Sequence, residues 1–334
     1  MLNRPAGQEP WGAGRPYSGR AGANAGGSSG ERESGSMRGE RVVIVGAGPA
    51  GVAAAVQCVR LGVTPRLFDR TGAAGGLVEN AFSIENYPGL EGPLDGPGLV
   101  VKLRAHLARF GLGVERAEVT AITRDGDDFR VESGAGEVRA RAVIVSSGTE
   151  PLRLGFPNER EYEGRTVFYD VRSLLRRHPR PREVVVAGGG EAACDYALTL
   201  SSAGAAVHMA VRSDRLKARG RLADAVRRAE AVQVSFETVC EGIRTLPTAV
   251  RLRGGARGMM EQSADALLVA VGRRSTAAGL LGSGNGPPPA GDESRRGLFI
   301  AGDARHGGLG QVGMAVGDGI RAATEAVSFM EDRA

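Results

Sequence analysis

Twice in this chain a short apolar run ends in a glycine-rich turn and continues into a helix-forming stretch. Arg41-Val42-Val43-Ile44-Val45 leads into Gly46-Ala47-Gly48-Pro49-Ala50-Gly51. Glu183-Val184-Val185-Val186-Ala187 leads into Gly188-Gly189-Gly190-Glu191-Ala192-Ala193. Strand, tight turn and helix recurring in one chain is a repeat of βαβ units, and it predicts an α/β fold with parallel sheets. Between the copies lie a further apolar run, Ala142-Val143-Ile144-Val145, and a proline-bearing segment from Pro151 to Pro157. Late in the chain, Ser283 to Pro289 reads as a Gly/Pro-rich connection. Leu298-Phe299-Ile300 then reads as a last strand, followed by a helix from Val312 to about Met330.

Composition agrees. With 334 residues there is room for two domains, and 42% hydrophobic against 24% charged residues allows a buried core in a soluble chain. Only 4% of residues are aromatic while 52 are Gly, which argues against an aromatic-rich β sandwich. Three Cys are too few for a disulfide framework and suit a reducing cytosol, so the expected location is cytoplasmic. The net charge of +5 leans towards acidic partners. Val42 to Val59 is long and uncharged, but Gly46, Gly48, Pro49 and Gly51 interrupt it as a membrane span. No secretory signal is legible. The first 40 residues are rich in Gly, Pro and Ser and read as a disordered tail containing Trp11, with Met37 as an alternative start. No metal-ligand spacing, no Ser/His/Asp order and no nucleic-acid-reading repeat is present.

The two turns carry the chemistry. Gly46-x-Gly48-x-x-Gly51 permits a tight turn, lets backbone approach a pyrophosphate, and packs the helix close to its strand. The helix N-terminus offers N–H donors to phosphates. Asp69 ends the next apolar run, where a carboxylate accepts hydrogen bonds from ribose hydroxyls. In the second copy the matching strand, Ala206 to Val211, ends in Arg212. Arg there accommodates a 2′-phosphate, with Ser213 and Lys217 nearby, which favours NADPH while leaving NADH possible. The alternative is that Arg212, Arg215, Lys217 and Arg219 are a solvated loop and helix face, as charge runs usually are. Two unlike sites suggest a bound flavin and a visiting nicotinamide.

These motifs resemble the thioredoxin reductase-like branch of the two-dinucleotide-domain flavoproteins, over residues 41 to 334. Gly75-Gly76 followed by Ile84-Glu85-Asn86-Tyr87-Pro88-Gly89 is similar to the family's flavin-contacting loop. Ser146-Ser147-Gly148-Thr149 is similar to its crossing segment between domains. Gly302-Asp303, Gln311-Val312-Gly313 and Gly317-Asp318-Gly319 resemble its second FAD motif. The resemblance implies two Rossmann-like domains: an FAD domain of residues 41–155 and 283–334, split by an inserted NAD(P)H domain of residues 156–282. It implies a homodimer. It places Asp303 on the ribityl chain, Gln311 at the flavin's polar edge and Val119 at the adenine, with Val312 also in the FAD set. Pro49, Ala50, Arg70, Gly76, Leu77, Asn86, Ser147, Gly148 and Gly302 complete the implied FAD set. Gly188, Gly190, Glu191, Ala192, Arg212, Lys217 and Gly272 make up the NAD(P)H side.

One departure decides the chemistry. The family's C-x-x-C pair follows a lead-in that matches Gly164 to Tyr169. Here Asp170 and Ser173 stand at the two cysteine positions, and Leu174 where an acid is expected. Neither Asp nor Ser forms a disulfide. Cys58, Cys194 and Cys240 read as small buried residues, with Cys194 the one whose pKa a helix N-terminus would lower. Ferredoxin or flavodoxin–NADP reductases of this type also lack the pair. The basic stretch Arg172, Arg176, Arg177, His178, Arg180 and Arg182 would steer an acidic carrier, or is a solvated helix end and loop. His306 is a candidate donor near the flavin, or an exposed loop residue; His106 reads as structural. The expectation is an FAD-dependent NAD(P)H oxidoreductase passing electrons from flavin to an external acceptor such as a ferredoxin or flavodoxin. A small-molecule disulfide or dithiol acting directly at the flavin is the alternative acceptor, and a non-catalytic flavin-binding sensor subunit the alternative role.

Overall fold

The computed structural model describes residues 40–245, 248–254, 258–282, 297–307 and 310–332. The expectations for the tail, with Trp11 and Met37, and for the Ser283–Pro289 connection lie outside the described residues. In chain order the elements are β1 (Glu40–Val45), α1 (Pro49–Arg60), β2 (Arg66–Asp69), α2 (Gly96–Arg109), β3 (Glu115–Arg116), β4 (Val119–Asp125), β5 (Asp128–Ser133), β6 (Gly136–Val145) and β7 (Thr149–Pro151). Then come β8 (Val167–Phe168), α3 (Val171–Arg177), β9 (Glu183–Ala187), α4 (Glu191–Ser202), β10 (Ala206–Ala210), α5 (Gly220–Arg228) and β11 (Val232–Ser235). The chain continues through β12 (Thr238–Thr245), β13 (Thr248–Gly254), β14 (Gly258–Ser263), β15 (Ala266–Val269), β16 (Arg273–Ser275) and α6 (Ala277–Leu280). It closes with β17 (Leu298–Ile300), α7 (Asp303–His306) and α8 (Val312–Glu331).

The first sheet runs β3-β2-β1-β6-β5-β4. β1 lies parallel to β2 and to β6, with Val43 opposite Val143 and Ile44 opposite Ile144. β1 is a continuous apolar run because both its faces are covered, and Val42, Val43 and Ile44 are fully buried. β6 is long enough to serve two partners. Its first half pairs antiparallel with β5, and Val143 to Val145 pair parallel with β17. The late strand therefore returns to the first sheet, which makes this domain discontinuous in sequence. The meander β4-β5, which no motif announces, extends the same sheet.

Small residues set how α8 meets α1. A Cβ on Gly319 would lie 2.1 Å from the Ala50 carbonyl oxygen, so the helices touch backbone to backbone there. Ala315, Ala322, Ala323 and Ala326 of α8 share one core with Ala50, Ala54 and Ala55 of α1.

The second sheet, β11-β10-β9-β15-β8, is parallel throughout. One face packs against α3, α4 and α5 through Leu174, Leu200, Met209 and Leu268. The other face meets the antiparallel meander β12-β13-β14 through Val185, Leu267, Val250 and Leu252. Each fully buried Leu or Val contributes roughly 1.5–3 kcal/mol. The two sheets are joined where β7 and β16 pair antiparallel, Thr149 facing Ser275 and Pro151 facing Arg273. The following linker is held by Glu159, only 3% exposed. Its carboxylate accepts the N–H of Leu154 (3.0 Å), the N–H of Gly155 (2.6 Å) and the Tyr169 hydroxyl (2.6 Å). Among the described residues, no helix is long and apolar enough to cross a membrane.

Candidate functional site

The first glycine turn is shaped by three different demands. Gly46 has φ +99°, and a Cβ there would lie 2.3 Å from the Ser146 carbonyl oxygen. A Cβ on Gly51 would lie 1.8 Å from the Gly46 carbonyl oxygen, so only Gly lets α1 close on the turn. A Cβ on Gly48 would meet nothing within 4 Å, which leaves open space in front of its backbone. Asp69 faces the same space from the end of β2. Its carboxylate also accepts the N–H of Ala47 at 3.0 Å and both the N–H and hydroxyl of Thr71, at 2.8 and 2.6 Å. Asp69 thus pins the turn as well as lining the site, a role that spacing did not reveal.

The second turn repeats the plan with looser packing. Gly188 has φ +140°, with Ala270 oxygen 2.3 Å from where its Cβ would be. Gly190 is open, like Gly48. Ala193 is fully buried at the position of Gly51. The Lys217 N–H donates to the Gly189 carbonyl at 2.7 Å, so the loop carrying Arg212 and Lys217 is tied to the turn by backbone.

Both turns open on one continuous cavity of about 2470 Å³. Its walls bring together Gly46, Gly48, Pro49, Ala50, Asp69, Arg70, Gly76, Leu77, Asn86, Val119, Ser147, Gly148, Asp303, Gln311 and Val312 on one side. Gly188, Gly190, Glu191, Ala192, Arg212, Lys217 and Gly272 line the other. Gly51 lies behind the wall, under the turn. Gly302, with φ +67°, is also behind it, where a Cβ would lie 2.9 Å from the Ala50 Cβ. Gln311 joins the two sides: its Oε1 accepts from Asn86 Nδ2 at 2.5 Å, and its Nε2 lies 3.5 Å from Glu191. Burial raises the Asp303 carboxyl, against the pull of Arg273 and His306.

His306 has a different occupation from the one expected at the flavin. Its Nε2 sits 2.6 Å from Asp318 Oδ2, and Arg305 and Arg321 approach the other carboxylate oxygen at 3.6 Å. It is not on the cavity wall. The pairing braces α7 against α8.

Contacts across the cavity come mainly from one loop, residues 79–86. Asp195 on α4 accepts the Phe82 N–H at 2.8 Å. Burial pushes its carboxyl up to about 6, while the N–H groups of Phe82 and Ser83 pull it down. Arg172 at the start of α3 donates its backbone N–H to Asn80 Oδ1 (3.1 Å) and its Nε–H to the Glu79 carbonyl (3.0 Å). Arg172 is therefore a clamp between domains rather than part of a free basic surface. Sequence spacing carried no signal for this, because residues 79–86 and 172 are far apart in the chain. Of the remaining stretch, the His178 ring nitrogen Nε2 lies 2.9 Å from the Arg165 carbonyl oxygen. Arg176, Arg177, Arg180 and Arg182 are exposed, and none makes an ion pair among the described residues.

At the cysteine-pair positions, Asp170 caps α3: its Oδ1 accepts the Ser173 N–H at 2.7 Å. The Ser173 hydroxyl accepts from Arg176 at 3.0 Å, and Leu174 is fully buried in the core. Both Asp170 and Ser173 line the cavity. The three cysteines are free, buried and scattered. Burial pushes the Cys58 and Cys240 thiols up to about 12 and Cys194 up to about 11. Cys194 is therefore raised rather than lowered: burial leads, and the nearby carboxylates of Asp195 and Glu191 add to it. A thiol that high is not a thiolate at neutral pH.

Two cradles with open central glycines, each at a helix N-terminus, suit two dinucleotide diphosphates. The residues present therefore fit FAD and a nicotinamide dinucleotide. Residues 40–319 match the family model described as pyridine nucleotide-disulphide oxidoreductase. The thioredoxin reductase of Treponema pallidum (strain Nichols) is 33% identical over 300 residues, covering 87% of this chain and 97% of the relative. A solved structure of Lactococcus lactis thioredoxin reductase, in its FR conformation, is 30% identical with a TM-score of 0.78, covering 88% of this chain and 99% of that one. The thioredoxin reductase of T. acidophilum is 26% identical with a TM-score of 0.76, covering 88% and 98%. With both cradles and the divided first sheet in place, the chain belongs to the pyridine nucleotide-disulphide oxidoreductase family, as a thioredoxin reductase-like oxidoreductase that uses FAD and NAD(P)H.

Proposed function

We propose that this oxidoreductase delivers electrons to an acceptor outside its own chain without an internal dithiol, and that the acceptor is an acidic carrier protein of ferredoxin or flavodoxin type. The observation that carries this reading is the cavity wall at Asp170 and Ser173, with all three cysteines buried at raised pKa. When bound, FAD supplies two-electron hydride acceptance and one-electron release.

This chain's residues hold and orient the groups. The N–H donors around Gly48 and Gly190 hold the two diphosphates. Asp69 and Asp303 accept from hydroxyls of the flavin dinucleotide, and Asn86 and Gln311 fix the ring's polar edge. Arg212 and Lys217 select the 2′-phosphate of NADPH. The working division is residues 41–155 with 283–334 for FAD, and 156–282 for NADPH, in a cytoplasmic homodimer.

Arg176 on the cavity wall, with exposed Arg177, Arg180 and Arg182 further along the same stretch, supplies the positive field that steers an acidic partner; none of the four makes an ion pair among the described residues. Anaerobic stopped-flow mixing with NADPH, then with an acidic carrier over a salt series, tests this. Salt-sensitive carrier reduction is expected. Turnover with small disulfides that persists in Cys194→Ser and ignores salt would replace the carrier by a low-molecular-weight disulfide. No bleaching of the flavin by NADPH or NADH would make the protein a sensor.

A further inference from the structure

One segment of the first domain touches the first glycine turn at one end and three helices of the second domain at the other. At its start, the Gly75 N–H donates to the Ala47 carbonyl inside the turn at 3.0 Å. Gly76 has φ +68°, and a Cβ there would lie 3.1 Å from the Cα of Gly48. The chain therefore leaves the turn in backbone contact with it, and continues as a short 3-10 helix, Gly76–Asn80. That helix has a firm backing. The Gly96 N–H donates to the Ala81 carbonyl at 2.8 Å, and a Cβ on Gly96 would lie 2.1 Å from the Val78 carbonyl oxygen. Further on, the Ile84 N–H donates to the Leu94 carbonyl at 2.8 Å.

The far end is held from the second domain at three points. Arg172 of α3 donates its N–H to Asn80 Oδ1 (3.1 Å) and its Nε–H to the Glu79 carbonyl (3.0 Å). Asn80 is only 8% exposed, so that contact is sheltered from water. Asp195 of α4 accepts the Phe82 N–H at 2.8 Å. Arg221 of α5 lies 3.5 Å from Glu85 at 91% side-chain exposure, and is the weakest of the three. Asp195 stands one turn into α4, the helix that opens from the Gly190 cradle. A dinucleotide seated on that N-terminus orders the first turn of α4, and what orders α4 orders the segment it holds.

We propose that residues 75–86 are a strap through which occupancy of the nicotinamide cradle tightens the FAD cradle, with Asp195 and Arg172 as its positioning residues. The proposal rests on the assignment of the Gly190 cradle to NADP(H). Seated, the strap keeps Gly76 on Gly48 and Gly75 on Ala47; released, both contacts loosen. Binding linkage is reciprocal, so FAD raises NADP+ affinity by the same factor.

Full-length holoenzyme tests it in two ways. FAD dissociation on dilution is followed by flavin fluorescence, with and without saturating NADP+. NADP+ is expected to tighten FAD roughly 5–20-fold in the parent, and less than about twofold in Asp195→Ala. Arg172→Ala should lower the factor less, because its backbone N–H keeps the bond to Asn80. Asp195→Asn retains an acceptor oxygen and should restore part of the factor, and Arg221→Ala should leave it unchanged. A parent whose FAD dissociation moves less than about twofold with NADP+, or is loosened by it, overturns the proposal. So does a full factor that survives in both Asp195→Ala and Arg172→Ala.

Hydrogen exchange reads the strap with no nicotinamide added. Asp195→Ala should speed exchange at the Phe82 amide and carry the gain back to the Gly75 amide, with the fully buried Val43 and Val185 as unmoved references. Faster exchange confined to Phe82 overturns the proposal, since Asp195 then holds one residue and not a strap. If NADP+ fails to perturb flavin absorbance in the parent, the assignment of the cradle falls instead, and the exchange result still decides the strap. Arg172→Ala repeats the exchange arm should Asp195→Ala fold poorly.

Discussion

The two glycine turns are built to one plan, yet they differ in how firmly each is enclosed. Around the first, Ala50 and Gly51 are buried, α8 lies against α1, and Asp69, Phe68 and Ser146 all bond to the turn. Around the second, Glu191 and Ala192 are exposed, and Ala193 replaces the glycine that allows the closest approach. A deep, over-determined cradle suits a group that stays; an open one suits a group that comes and goes. The equivalent helices differ too. α1 is apolar along its first two turns, whereas α4 carries Glu191 and Asp195 towards the 79–86 loop and Gln311. The second turn thus takes part in the contact between domains, and the first does not.

The largest way to break this contrast is to crowd the deep turn. Gly51→Val would force a side chain onto the Gly46 carbonyl and cost roughly 3 kcal/mol or more. The expected result is a protein that melts earlier and purifies without yellow colour. Gly48→Ala, whose Cβ meets nothing, should keep the fold by the same melting assay.

On the open side, Arg212→Ala should lower kcat/KM for NADPH-driven bleaching by about 10–100-fold and leave NADH nearly unchanged. Equal losses for both nucleotides would return Arg212 to a solvated loop.

The contact between domains gives the next effect. Burial pushes the Asp195 carboxyl up to about 6 in the folded chain, from an ordinary 3.8. The folded state then binds more protons between those values, so stability falls as pH rises from 3.8 to about 6 and stays level above. Above pH 6, Asp195→Asn should raise stability by on the order of 1–3 kcal/mol, and the gain should vanish below the lower value. Thermal melts across pH read this directly; a pH-independent difference would count against it.

The smallest effect is expected from copying the first turn into the second. Ala193→Gly should lose about 1 kcal/mol in a urea melt, the helix cost of Gly, with flavin content unchanged. A larger loss would mean that the second turn is packed as tightly as the first.

Much of this was legible in order along the chain. The runs at Val42 and Val184 form central parallel strands because they are apolar on both faces, and Gly46, Gly48, Gly188 and Gly190 stand where backbone geometry needs them. The meander β4-β5 and the strands β13 and β14 were not legible, since half-buried strands of mixed polarity look like loops when read alone. Cys194 illustrates a rule that local context overrode: a helix start favours a thiolate, but full burial costs more. His306 illustrates the opposite limit, since its partner Asp318 is set by how α8 folds back, not by any spacing between motifs.

By itself, the sequence determined two dinucleotide cradles, their order, and the absence of a thiol pair where the family carries one. Those are local facts, fixed by residue type over a few positions. The tertiary structure decided that both cradles share one cavity, that Arg172 and Asp195 clamp the domains across it, and that Arg273 ties the crossing strand β16 to Thr149. Each of these depends on residues far apart in the chain, brought together by the return of β17 to β6 and the pairing of β7 with β16.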